Sequence, residues 1–283
     1  MKDVMLSFGK GLDGYLTKDQ IRNSSPLVFA DAPTNPDVSK KYLFVNTETI
    51  IDDLEKLGWL PVQAAQRTSR KAEGTIFSKH MVAFQNPDIK IASDDGDEAY
   101  PRILLTNSHD GMQSFKFSVG IFRLVCSNGL VVADEQFSDF KIKHKGYTFG
   151  ELRNVVKQAV EDLPNKVQVM NDMKNRILTD EEKNKLALDA MLIRANIKPN
   201  SDKAKKFNYD QETISDILDP KRDADKGNDL WRVFNVVQEK ITQGDFHAAL
   251  TGAKVRKVRK IKSFEKDIKV NKELFKLATA LVG

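Results

Sequence analysis

One cysteine, Cys126, stands in 283 residues, so no internal disulfide can form. Beside Val125 it reads as a small buried apolar residue of a strand, and a reducing compartment fits that usage. Long apolar runs are missing too. None approaches the roughly 18 residues of a membrane span, and no basic segment near Met1 leads into an apolar one, which gives the expectation of a cytoplasmic chain with no membrane partner. Charge of one sign is scarce: the net charge is only +5 although 30% of residues are charged, so the distribution of cations matters more than their excess. Several fingerprints of chemistry are absent as well. The glycines of Gly9 to Gly14 are spaced as G-x-G-x-x-G, but they lie among short irregular fragments with no βαβ pattern and no GK followed by Ser or Thr, so they read as no nucleotide fingerprint. Ser108 does not sit in the G-x-S-x-G elbow of a nucleophile. The acidic stretch Asp94 to Glu98 lacks the alternating ligands of a calcium loop and reads as a solvated turn. No cofactor is expected from these patterns, and no residue earns a catalytic assignment.

What the chain does have is order of pattern. Residues 1–40 are short apolar fragments broken by glycine and proline, an arm or irregular cover. Thr47 reads as the cap of a helix with Ile50, Ile51, Leu54 and Leu57 on its inner face, ended by Gly58. Period-two segments follow at Trp59 to Ala65, Ile76 to Phe84 and Arg102 to Thr106. In the next segment Phe115, Phe117, Val119 and Ile121 alternate with Lys116, Ser118 and Gly120. Asn128-Gly129 between two apolar runs predicts a hairpin with a two-residue turn. In Phe140 to Lys145, Lys141, Lys143 and Lys145 share one side. This face reads as a protected sheet edge or, with Lys116, as a basic surface that meets phosphates.

Beyond residue 147 the period becomes helical. Thr148/Glu151 and Thr179/Glu182 read as capping boxes, the stretch 196–207 as a linker, and Leu230 to Ile241 as a helix stopping near Gly244. Asn271 reads as the cap of the last helix. Strands first and helices after give an α+β fold: an antiparallel sheet region at 41–147 with one leading helix, and a helical region at 148–283.

Many blocks in order, among them TETIIDDLEKLGWLPVQAAQ, FSKHMVAF, LLTNSHDG, RLVCSNGLVV, FKIKHKG, LDPKRDADKGNDLWRVFNVVQEKITQGD and VRKVRKIK, resemble the phage/plasmid-like family of unknown function, domain of unknown function 932. The resemblance implies a phage or plasmid setting and no particular activity.

Four constellations remain. His80, His109 and His144 lie on or beside strands, with Asp110 next to His109. Converged, they would suit a divalent metal and a metal-dependent phosphodiesterase or nuclease, whereas scattered histidines more often satisfy buried groups or cap turns. Asn107, Ser108, Asp110 and Gly111 read as turn formers. Asp223 and Asp225 read as caps before the helix that carries Arg232, Asn235 and Glu239, a polar face able to bond within itself or with the loop. Finally, residues 254–262 read KVRKVRKIK. Val255, Val258 and Ile261 would anchor the segment while Lys254, Arg256, Lys257, Arg259, Lys260 and Lys262 face outward toward a polyanion. The functional expectation is sequence-tolerant single-stranded DNA binding or annealing in replication or recombination, with Tyr147 among the stacking side chains. A sheet hairpin followed by a long helix is also the element order of ring-forming phage annealing proteins, which allows a homo-oligomer. A host-protein adaptor is the third reading.

Overall fold

A computed structural model describes residues 7–8, 14–38, 42, 44–67, 79–91, 99–111, 115–123, 129–130, 140–142, 148–207, 209–244, 246–248 and 255–282. Those up to Leu163 form one compact unit and those from Pro164 onward another.

The first unit is built on an antiparallel sheet. Its strands are β1 (Ser7–Phe8), β2 (Leu60–Gln66), β3 (Lys79–Gln85), β4 (Ala99–Ser108), β5 (Phe115–Arg123), β6 (Gly129–Leu130) and β7 (Phe140–Ile142). They pair in the order β1-β2-β3-β4-β5-β6, with β7 also on β5. Against one face lie helix α1 (Lys18–Ser24), the 3₁₀ turn Pro26–Phe29, α2 (Thr47–Lys56) and α3 (Phe149–Glu161). Alternation explains the face. Val82 on β3, Leu105 on β4 and Phe117 on β5 share one row of the register, and all three are buried with Ile50, Ile51, Leu54 and Trp59. Met81, Ala83 and Leu104 on the opposite side are buried as well, so the middle strands are covered twice.

Local chemistry departs from the sequence reading in instructive places. The first forty residues contain a capped helix: Thr17 and Gln20 make a reciprocal capping box on α1, whose Ile21 is fully buried. The α2 cap is Asn46, whose side chain accepts from the Glu48 amide at 2.7 Å, and not Thr47, which is the first helical residue and points inward. Gly58 does end that helix at φ +80°, a region costly for a side chain. The hairpin between β5 and β6 forms, but Gly129 pairs with Phe122 inside the ladder. Gly129 is thus a strand residue, and Asn128 lies outside the described residues.

In the second unit, α4 (Leu163–Asn175) leads to α5 (Asp180–Arg194), α6 (Asp202–Lys205), α7 (Gln211–Leu218) and α8 (Leu230–Gln243). The hairpin β8 (His247–Ala248) and β9 (Arg256–Lys257) then precedes α9 (Phe264–Thr279). α8 is the central element, packed against α5, α7 and α9, and buries Leu230, Trp231, Phe234, Val237 and Ile241. Thr179 and Glu182 form the expected reciprocal box on α5, while at α3 the Thr148 hydroxyl accepts from the Glu151 amide. The α9 cap is Ser263. Asn271 instead lies mid-helix, fully buried, donating to the Asp267 carbonyl four residues back and accepting from Gln238.

Candidate functional site

In the first unit, two of the predicted histidines meet. His80 from β3 and His109 just past β4 bring their rings to 4.9 Å, because the ladder pairs His80 with Asn107 and the chain turns at once. Between them stands a residue the sequence reading had assigned to a cap. Thr47 Oγ1 is 2.9 Å from His80 Nε2, 3.2 Å from His109 Nε2 and 3.0 Å from the Asn107 amide nitrogen. All four side chains are at most 1% exposed.

The protons in this cluster can be assigned by counting. Asn107 Oδ1 accepts from the Ser108 amide at 2.9 Å, which fixes the orientation of the carboxamide and makes its nitrogen the donor to Thr47. A hydroxyl has one hydrogen and two lone pairs. Asn107 takes one lone pair, so one imidazole donates from Nε2 into the other and the second imidazole accepts the hydroxyl hydrogen. The two rings hold opposite tautomers. Two imidazolium ions would bring three donors to two lone pairs and leave the hydroxyl hydrogen without an acceptor. Burial, helped by the neighbouring His109, keeps the His80 pKa well below the usual 6.5. The position of Thr47 in the first turn of α2 acts in the same direction, since a helix N-terminus disfavours a cation.

Asp110 faces a different neighbour. Its carboxylate accepts from the Ser108 hydroxyl at 2.7 Å. Burial, with the charge of Asp110 nearby, raises the Tyr42 phenol to about 12. Ser108 thus meets a carboxylate and no imidazole. The segment before α2 closes over the turn, with the Thr34 amide donating to the His109 carbonyl at 2.8 Å and Phe44 against the His109 ring at 4.7 Å. Among the described residues no three His, Cys, Asp or Glu side chains gather where they could hold a metal ion. His144 lies outside the described residues, as do Cys126, Lys143, Lys145, Tyr147, Lys254 and residues 94–98. Of the predicted strand lysines, Lys116 is half-buried and stands opposite Lys141 in the backbone register.

In the second unit, the Asp223/Asp225 loop is tied to α8 by Arg222. Its guanidinium bonds Glu239 through two nitrogens at 2.6 and 2.9 Å and reaches Asp225 at 2.9 Å. The Glu239 bond, more than any other contact, raises the Arg222 pKa above its already high ordinary value. Asp223 is paired with Lys226, and Asp229 supplies the α8 cap. This polar face is therefore engaged with its own loop, as its spacing allowed.

The basic segment is docked rather than trailing. Val258 and Ile261 are buried, at 7% and 5% exposure, whereas Val255 is 57% exposed and is not an anchor. The Val258 amide donates to the Phe246 carbonyl at 2.7 Å and the Ile261 amide to the Thr242 carbonyl at 2.8 Å. Arg194, at the end of α5, donates to the Arg259 carbonyl at 2.6 Å. Gly244, at φ +78°, lets this backbone approach: an added Cβ would stand 2.5 Å from the Val258 carbonyl oxygen. On the outer side Arg256, Lys257, Arg259, Lys260 and Lys262 are all exposed. Burial raises the Asp267 carboxyl in the adjoining turn of α9 to about 6, against the opposing pull of Lys260 and Arg194. Sequence reasoning missed Thr47, Arg194 and Gly244 as organisers; only Gly244 carried a signal, as a helix stop.

No described helix is long and apolar enough to cross a membrane. No solved structure matches the chain. Two proteins of Escherichia coli (strain K12), the UPF0380 proteins YafZ and YfjQ, are each 28% identical to it over 275 residues, covering 95% of this chain and 93% of theirs. Residues 37–275 match the model of the family described as Domain of unknown function (DUF932), a span that holds both the histidine cluster and the docked basic segment. The chain belongs to that family.

Proposed function

We propose that the protein binds single-stranded DNA with little regard to sequence, through the cations of residues 254–262. The observation that carries this reading is the docking of the segment. Two apolar anchors and three hydrogen bonds to its main chain hold the backbone that bears five exposed cations. A backbone already ordered spares that part of the conformational entropy lost on meeting a phosphate, and each phosphate neutralised releases condensed counterions. A purely solvated charge run needs no such anchoring.

The test is fluorescence anisotropy with labelled strands of about 20 nucleotides. Replacing Arg256, Lys257, Arg259 and Lys260 together with glutamine is expected to weaken binding at least tenfold, equally for oligo-dT and mixed sequences, with an unchanged melting temperature. Unchanged affinity in a folded variant refutes the reading.

A further inference from the structure

The same unit carries exposed ring and apolar side chains beside these cations, and the β8–β9 register determines how they are presented. His247 stands opposite Lys257, and Ala248 opposite Arg256. Directly paired residues share a face, so His247 and Lys257 present one side of the hairpin, and Val255 stands directly before β9. All three are exposed, Val255 at 57%, while of the pair on the other side Ala248 is buried and Arg256 exposed. The hairpin is tied to α7 by the Thr213 hydroxyl, which donates to the His247 carbonyl at 2.9 Å. Tyr209 directly precedes the Asp210 cap of that helix and is 48% exposed. Of the four exposed large hydrophobic side chains among the described residues, Tyr209 thus lies at the start of the helix tied to the basic hairpin, and Val255 directly before β9. The nearby acid Asp210 is partly committed, since it accepts from the Thr213 backbone amide at 2.6 Å, and its contact with Thr213 holds its carboxyl below the usual range.

From this arrangement we infer that Tyr209 and His247, with Val255 between the cations, form a stacking platform for unpaired bases, so that the surface selects single strands over duplex. The inference rests on the phosphate-binding reading above and adds base contact to it. A flat ring beside an ordered cation fits a base and its phosphate together, and a duplex keeps its bases stacked inside where such a ring cannot reach them. Sequence tolerance follows, because every base offers a π-face.

The experiment compares three labelled probes of equal length: oligo-dT, an abasic deoxyribose-phosphate strand, and duplex DNA. The wild type is expected to bind oligo-dT at least tenfold more tightly than the abasic strand. The double substitution Tyr209→Ala/His247→Ala is expected to lower oligo-dT affinity about five- to fiftyfold while leaving abasic affinity and the salt dependence as they were. Tyr209→Phe, which keeps the ring, should retain at least half the Tyr209 contribution. Equal wild-type affinity for oligo-dT and abasic strand, with strong salt dependence, overturns the platform and leaves phosphate binding standing. A loss shared equally by both probes in the double variant also overturns it. A wild type that binds none of the three overturns both readings together.

Discussion

Thr47→Val removes a single hydroxyl from the centre of the first unit, and the structure sets how much that should matter. Valine keeps the β-branched shape, so packing is nearly conserved, but Asn107, His80 and His109 each lose their contact with Thr47 Oγ1. A buried polar group left without its partner costs about 1–3 kcal/mol. Three of them bound the loss at about 3–9 kcal/mol. Ring rotation and small backbone shifts recover part of this, and costs within one network do not add. We predict about 3–5 kcal/mol, a large share of the 5–15 kcal/mol that holds a typical domain. The two tryptophans allow a local assay, since Trp59 belongs to the first unit and Trp231 to the second. In a Trp231→Phe background, urea unfolding followed by the fluorescence of buried Trp59 reports the first unit. A loss below about 1 kcal/mol, the net worth of one ordinary hydrogen bond, refutes Thr47 as the hub of this cluster.

The same network predicts a pH dependence. His80 has a folded pKa below its unfolded value near 6.5, so the unfolded chain takes up the proton first; stability is full above about pH 6.5 and falls as the pH drops beneath it. The decline between pH 6.5 and 5 is bounded by about 1.4 kcal/mol per pH unit for one proton, and His80→Gln should flatten it; an unaltered profile in that variant removes His80 as the cause. Arg222→Leu takes the shared guanidinium from Asp225 and Glu239, whose carboxylates are 2% and 12% exposed, and should cost the second unit about 3–5 kcal/mol by Trp231 fluorescence. Arg222→Lys should recover only part, because an ammonium cannot make the paired bonds to Glu239. Gly244→Ala puts a Cβ against the Val258 carbonyl at a positive φ and should destabilise the second unit by at least about 1–3 kcal/mol; a neutral effect would mean the basic segment is not held against that corner.

How much of this was legible in the sequence depends on how local each signal is. The heptad-like stripe of α8, the alternation of β5 and the Thr179/Glu182 box depend on spacings of two to four residues, and each element formed where those spacings put it. Residues 14–29 were harder, because the Gly and Pro around them outweighed the Thr17/Gln20 box in a helix of only seven residues. The histidine pairing was legible only as a list of strand-borne residues. Thr47 lies 62 residues from His109, and nothing near it in the chain distinguishes a cap from an inward first-turn residue; the arrival of Asn46 one place earlier decided it. Asn271 misled for the same reason, since an asparagine bonding back along its own helix carries the same letter as one capping it. In the basic segment the three-residue period marked Val258 and Ile261 correctly, but the same pattern could not reveal that Val255, directly before β9, would be exposed.

The central claim is that the cations of residues 254–262 meet phosphates, and the dependence of affinity on salt tests it most directly. Dissociation constants for a labelled oligo-dT strand, measured from about 50 to 300 mM salt, give a slope of log affinity on log salt close to −0.7 for each phosphate contact. We predict a slope steeper than about −2 for the wild type and one about 2–3 shallower in magnitude for the fourfold glutamine variant, with folding intact. Equal slopes in the two proteins would contradict the assignment of this segment as the contact surface.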